Sequence, residues 1–174
     1  MTDLNQFLAR AESLLERLEH FLPASPATPD WTASTAFRWR RRGNAAGLQA
    51  IAHPHTIRLA DLQDIDDKKD RIVANTRQFL NGKRANNVLL TGARGTGKSS
   101  LVKALLTEFA AEGLRLIEVD KDDLIDLPDI VELLEGRPER FILITDDLSF
   151  EDGEAAYKAL KSVLDGSVAA VPDN

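Results

Sequence analysis

The chain has 174 residues, 43% apolar and 29% charged, with a net charge of −6; this is the make-up of a globular domain with a core and room for one appendage. The negative balance argues against a surface given over wholly to nucleic acid, and with no cysteine the chain has no disulfide, zinc–thiolate site or thiol nucleophile. The N-terminus Met1-Thr2-Asp3-Leu4 lacks the basic-then-apolar order of a secretory signal and no apolar run reaches membrane-span length, so no membrane partner is expected and the expected compartment is cytoplasmic.

From Asp3 to Leu22, apolar residues at Leu4, Phe7, Leu8, Ala11, Leu14, Leu15, Leu18, Phe21 and Leu22 keep the three-and-four spacing of an amphipathic helix. Such a stripe either docks on the rest of the chain or joins a second copy or a protein partner in a short coiled coil. Docking is the simpler expectation, because a seam of about three heptads is marginal by itself. Pro23, Pro26 and Pro29 then make a linker or extended wrap.

The run Phe37-Arg38-Trp39-Arg40-Arg41-Arg42-Gly43 is the most basic in the chain. Aromatics interleaved with arginines can stack on bases and hold phosphates, which would make this segment a nucleic-acid contact. The favoured alternative is a strand or turn that packs Phe37 and Trp39 and exposes the arginines, since one short run outside a nucleic-acid-binding fold is a weak signal. His53-Pro54-His55 lacks a cysteine or carboxylate at ligand spacing and reads as a turn.

Beyond Ile57 the pattern becomes regular. Asp66–Leu80 reads as a helix with Ile72, Val73, Thr76, Phe79 and Leu80 on one side and Asn81-Gly82 at its end. Asn87–Thr91 is a short apolar run expected to be a buried strand. Ser99–Glu112 is helical, with Leu101, Val102, Leu105, Leu106 and Phe109 inward and Gly113 as the stop. Leu114–Val119 is a strand, Leu127–Leu134 a short helix closed by Gly136, Phe141–Thr145 a strand, and Glu154–Leu164 a helix. Alternation at this rhythm predicts an α/β fold in which helical crossovers join the strands of a parallel sheet. Residues 1–55 thus read as an extension of helix, linker and basic segment, and residues 56–174 as the core.

Between the run ending at Thr91 and the next helix stands Gly92-Ala93-Arg94-Gly95-Thr96-Gly97-Lys98-Ser99. A triphosphate carries several negative charges that must be gathered where water is partly excluded. A tight loop with inward N–H groups does this, and Gly92, Gly95 and Gly97 supply the backbone freedom it needs. Lys98 supplies a positive charge for the β- and γ-phosphates, the Ser99 hydroxyl a ligand for Mg²⁺, and the helix start adds its own N–H groups. Ser100, in the first turn, is a candidate contact to the α-phosphate. The pattern of strand, glycine loop with Lys-Ser, and helix implies a P-loop that binds ATP with magnesium.

The other half of such a site is a carboxylate at a neighbouring strand's C-terminal end. Phe141–Thr145 delivers Asp146, the candidate Mg²⁺ ligand, and Asp147, the candidate for orienting an attacking water. Asp120, Asp122 and Asp123 read as a solvated turn, with Asp120 the member able to approach the site.

With these residues in place the chain resembles the AAA+ branch of P-loop ATPases. Leu59-Ala60-Asp61-Leu62-Gln63-Asp64-Ile65-Asp66 is similar to the segment of that branch that lines the adenine pocket, which implies Leu62 and Ile65 as base contacts. Gly95–Ser99 matches its phosphate loop and Ile144-Thr145-Asp146-Asp147 its acidic strand end. From about Phe37 onward the chain is also similar to a bacterial family of predicted AAA+ ATPases classed as a domain of unknown function, carried by Asn86–Leu90 and Leu116–Leu124. The resemblance implies a three-layer P-loop NTPase sandwich, an incomplete AAA+ core with an N-terminal helical extension, that binds and hydrolyses ATP. Three positions depart from it. Asp64 stands where glycine is usual, Asp147 where glutamate is usual, and the sequence stops at Asn174 before a fourth strand with its polar sensor, the arginine finger and the helical lid. The expectation is a fragment, less stable than a complete domain, in which the run before the P-loop and the acidic strand either pair directly or leave a gap. A nucleotide-binding switch or assembly module with negligible turnover is the competing function.

Overall fold

The computed structural model describes residue 10, residues 29–42, 45–149 and 154–164, and residue 174. The amphipathic helix expected over Asp3–Leu22 lies outside these residues apart from Arg10.

The sheet has four strands among the described residues: β1 (Ala36–Arg42), β2 (Ala45–Ala50), β3 (Leu114–Glu118) and β4 (Arg140–Ile144). Their order is β2-β1-β3-β4. β1 runs parallel to β3, with Arg38 opposite Glu118, and β3 runs parallel to β4, with Glu118 opposite Ile144. β2 pairs antiparallel with β1, Trp39 facing Leu48. The sheet is therefore mixed, not parallel throughout as the alternation of elements predicts. The reason is local: β2 follows β1 after two residues, a connection that permits only antiparallel pairing. The arginine-rich run is thus an inner strand of the sheet, with neighbours on both sides.

Four α-helices are described: α1 (Asp66–Leu80), α2 (Lys98–Phe109), α3 (Leu127–Leu134) and α4 (Ala155–Leu164). Each sits within a residue or two of the span its apolar spacing predicts, α2 being extended to Glu112 by a 3-10 turn. Side chains alternate across the strands and so divide the core in two. On one face Ala36, Leu114, Leu116 and Ile142 meet α1 and α2 through Ile72, Leu101, Val102, Leu105, Leu106 and Phe109. On the other face Phe37, Trp39, Ile117, Phe141 and Leu143 meet Leu127, Ile130 and Leu134 of α3 and Ala156 of α4. Trp31 closes this second core edge-on to Phe37 and Phe141, with ring centroids 5.0 and 5.1 Å away.

Phe37 and Trp39 are fully buried, as the strand reading of the basic run expects. The neighbouring arginines Arg38, Arg40 and Arg41 are engaged as well as exposed. Arg38 pairs with Glu118, which lies directly across the β1–β3 register, and Arg40 reaches Asp120 at 3.3 Å. Arg41 grips the Asp126 carboxylate with two guanidinium N–H groups, and the Trp39 indole N–H donates to the same carboxylate at 2.9 Å. Asp126 is 8% exposed, so this shared acceptor is what permits a charge to be buried there. Asp126 ends a six-residue 3-10 turn, Lys121–Asp126, where the sequence suggests only a solvated turn.

The run before the glycine loop departs from expectation. Residues 83–91 belong to no ladder, and β4 has no partner on its outer side among the described residues. Val88 and Leu89 are 51% and 76% exposed. Leu90 alone of this run packs inward, against the cores that hold Ile142 and Leu101. An apolar run signals burial, but a strand also needs a neighbour to take its N–H and C=O groups, and among the described residues this run has no ladder partner.

Leu89→Ser is expected to change unfolding free energy by less than about 0.5 kcal/mol, whereas Leu105→Ala costs about 3 kcal/mol, both by urea denaturation. Asp126→Ala strands the Trp39 N–H and the Arg41 guanidinium and is expected to cost about 3 kcal/mol. At neighbouring Asp123, burial, reinforced by the Asp126 charge, raises the pKa above the usual carboxylate value. The folded chain then holds that proton more tightly than the unfolded chain, so the contribution of Asp123 to stability declines as pH rises through its titration. Asp123→Asn is expected to stabilise the fold at about pH 7 and to give no gain near pH 3.

Candidate functional site

The site forms where the glycine loop turns into α2. Gly95 and Gly97 hold φ of +83° and +80°, left-handed backbone that costs an L side chain about 1–2 kcal/mol. Gly97 is the N-cap of α2, and its carbonyl accepts the first helical bond, from Leu101 N at 2.8 Å. The amides of the first turn, Lys98 to Ser100, therefore open toward the loop together with the positive end of the helix dipole. Ala93, Arg94 and Thr96 are exposed on the loop, and Thr96 Oγ1 ties it by donating to Ala93 O at 2.9 Å.

Lys98 folds back over this loop. Its Nζ donates to Gly92 O at 2.9 Å and to Ala93 O at 2.8 Å, so the ammonium sits beside the loop's own backbone. Ser99 projects the other way, across to the end of β4. Its Oγ lies 2.9 and 3.0 Å from the two carboxylate oxygens of Asp146 and donates to that group. Two residues 47 apart in sequence are thus brought together as a hydroxyl and a carboxylate, both hard oxygen donors. Ser100 is half-buried in the first turn of α2.

Asp147 is exposed and adopts φ +53°, left-handed backbone that aspartate tolerates better than most residues. Asp120 is the ion-pair partner of Arg40, at 3.3 Å. Among the described residues no group of three or more histidines, cysteines, aspartates or glutamates gathers in a way that could hold a metal ion.

The segment before α1 packs on α2. Leu59–Asp61 forms a 3-10 turn, pinned by Asp61 accepting from Arg58 N at 2.8 Å. Leu59, Leu62 and Ile65 are half-buried and pack on the cluster of Ile72, Leu101 and Leu105, so the predicted base contacts adjoin the helix that starts at Lys98. Asp64, where the resemblance has glycine, adopts φ +60°, so the position asks for left-handed backbone and aspartate supplies it.

Two groups near these elements carry no signal in the sequence. Lys69, which periodicity assigns to the polar side of α1, donates from Nζ to Leu59 O and Leu62 O. Thr145 Oγ1, between β4 and Asp146, is buried with no hydrogen-bond partner among the described residues.

No curated protein and no solved structure matches the chain. Residues 32–174 match one protein family over most of the sequence, from just after Trp31 through β1, the glycine loop and β4. The chain belongs to that family, described as a protein of unknown function (DUF815).

Proposed function

We propose that the chain binds ATP with Mg²⁺ through Gly92–Ser99 and hydrolyses it as an AAA+-type P-loop ATPase. The observation that carries this reading is the meeting of Ser99 Oγ and the Asp146 carboxylate at 2.9 and 3.0 Å, directly beside a glycine loop that opens a helix. Magnesium prefers six oxygen ligands and gives up its waters reluctantly, so a site built from one hydroxyl and one carboxylate leaves the remaining positions to phosphate oxygens and water.

When bound, the ion neutralises charge on the β- and γ-phosphates. The residues of the chain do the rest. The amides of Gly95 to Ser99 surround the phosphates, and Lys98 exchanges two neutral carbonyl acceptors for anionic phosphate oxygens, a stronger charge-assisted contact. Leu62 and Ile65 supply the apolar wall for the base. Asp147, next to the metal carboxylate and exposed, orients the attacking water.

The left-handed backbone at Asp147, together with a side chain one methylene shorter than glutamate, favours a second reading in which the chain binds nucleotide as a switch or assembly module and turns it over negligibly. Single-turnover hydrolysis beside equilibrium binding separates the two: binding without release of phosphate selects the switch.

The binding site itself is tested by titration calorimetry with ATP and GTP, with and without magnesium. Magnesium-dependent binding with ATP preferred is the expected result. Lys98→Ala is expected to weaken ATP binding roughly tenfold to a hundredfold, the equivalent of losing a charged hydrogen bond of about 1.5–3 kcal/mol. Asp146→Asn is expected to remove most of the magnesium dependence while leaving metal-free nucleotide binding in place. Folded protein that takes up neither nucleotide contradicts the proposal.

A further inference from the structure

The segment Leu59–Ile65 has little regular structure of its own: one 3-10 turn, an extended Leu62 and a left-handed Asp64. Besides the contact from Arg58 N to Asp61, Lys69, in the first turn of α1, holds it. The Lys69 side chain is only 16% exposed, and its Nζ lies 3.2 Å from Leu59 O, 2.8 Å from Leu62 O and 2.8 Å from Asp66 Oδ1. An ammonium has three N–H groups, and three oxygens receive them. With its donors spent inside the fold, Lys69 is not placed to serve as a phosphate ligand.

The two carbonyls it takes belong to residues whose side chains, Leu59 and Leu62, pack with Ile65 on Leu101 and Leu105 of α2. Leu101 lies in the same helix as Lys98 and Ser99 and within its first turns. The clamp therefore sets the position of an apolar wall relative to the start of the helix that carries the phosphate loop. A misplaced wall affects only the part of a ligand that touches it, and loss of orientation by about an ångström is enough to weaken a contact.

We propose that Lys69 is the positioning residue for base recognition: by clamping the carbonyls of Leu59 and Leu62 it holds the wall that makes the site select a nucleoside triphosphate over bare polyphosphate. This rests on the nucleotide-binding reading above and adds to it the residue that determines how much the base contributes.

The experiment uses the full chain with two probes, magnesium–ATP and magnesium–tripolyphosphate, the latter having the phosphates but no base. Lys69→Met keeps the aliphatic stem and removes the clamp. It is expected to weaken ATP binding about tenfold while leaving tripolyphosphate within about twofold of wild type. Lys69→Arg, which keeps the charge and the donors, is expected to stay within about threefold of wild type on both probes. Should Lys69→Met fail to fold by circular dichroism, Lys69→Gln, with one amide donor group, is expected to show the same split between probes. Equal weakening of both probes by the folded variant, or no weakening of ATP, overturns the proposal. Wild-type protein that binds neither probe overturns the nucleotide reading instead. Wild type that binds both equally well overturns base recognition alone.

Discussion

The hydrogen bond from Ser99 to Asp146 joins the start of one helix to the end of one strand, and most of the fold is arranged so that those two ends coincide. α2 is fixed by Leu101, Leu105 and Phe109, which bury its inner face against Leu114 and Ile72, so its first turn has little freedom to drift. β4 is fixed by its parallel register with β3, from Leu114 opposite Arg140 to Glu118 opposite Ile144. Parallel strands bring their C-terminal ends to the same edge, and that edge is where a helix beginning after a strand presents its amides. Any change that slips β4 by one residue would exchange Ile142 and Ile144 with Phe141 and Leu143 between the two cores and move Asp146 away from Ser99.

Charge does the same organising work on the other side of β3. An inner strand with four arginines is costly unless the charges are met, and acidic residues at the end of β3 and beyond it meet three of them: Glu118 takes Arg38, Asp120 takes Arg40 and Asp126 takes Arg41. These contacts give Arg38, Arg40 and Arg41 partners within the fold. They also tie the 3-10 turn Lys121–Asp126 to β1, which sets the point from which α3 departs across the second core.

Much of this was legible in the sequence where the signal is local. The four helices follow apolar spacing and end at residues that favour termination, Asn81-Gly82 after α1 and Gly136 after α3 among them. β3 and β4 are apolar runs of strand length, and Phe37 and Trp39 alternate with arginine as a strand requires. The glycine loop and Asp146 could be chosen by residue type before any contact between them was known. What could not be read depends on pairing. β2 is Ala-Ala-Gly-Leu-Gln-Ala, a composition of low strand preference held in place by β1, so the mixed character of the sheet has no local mark. The run Asn87–Thr91 shows the converse, strand-like composition without a ladder. Lys69 escaped notice because a lysine on a helix usually faces solvent, and only the folded course of Leu59–Leu62 brings two carbonyls to it.

The most direct test of the Ser99–Asp146 pairing as a metal-and-phosphate site replaces magnesium with Mn²⁺ in a complex with a non-hydrolysable ATP analogue and locates the ion by its anomalous X-ray signal. An Mn²⁺ peak at coordination distance from Ser99 Oγ, about 2.0–2.5 Å, with phosphate oxygens as further ligands and Lys98 Nζ moved from Gly92 O onto phosphate, is the predicted result. An ion bound elsewhere on the chain, or an analogue seated away from Gly92–Ser99, contradicts it.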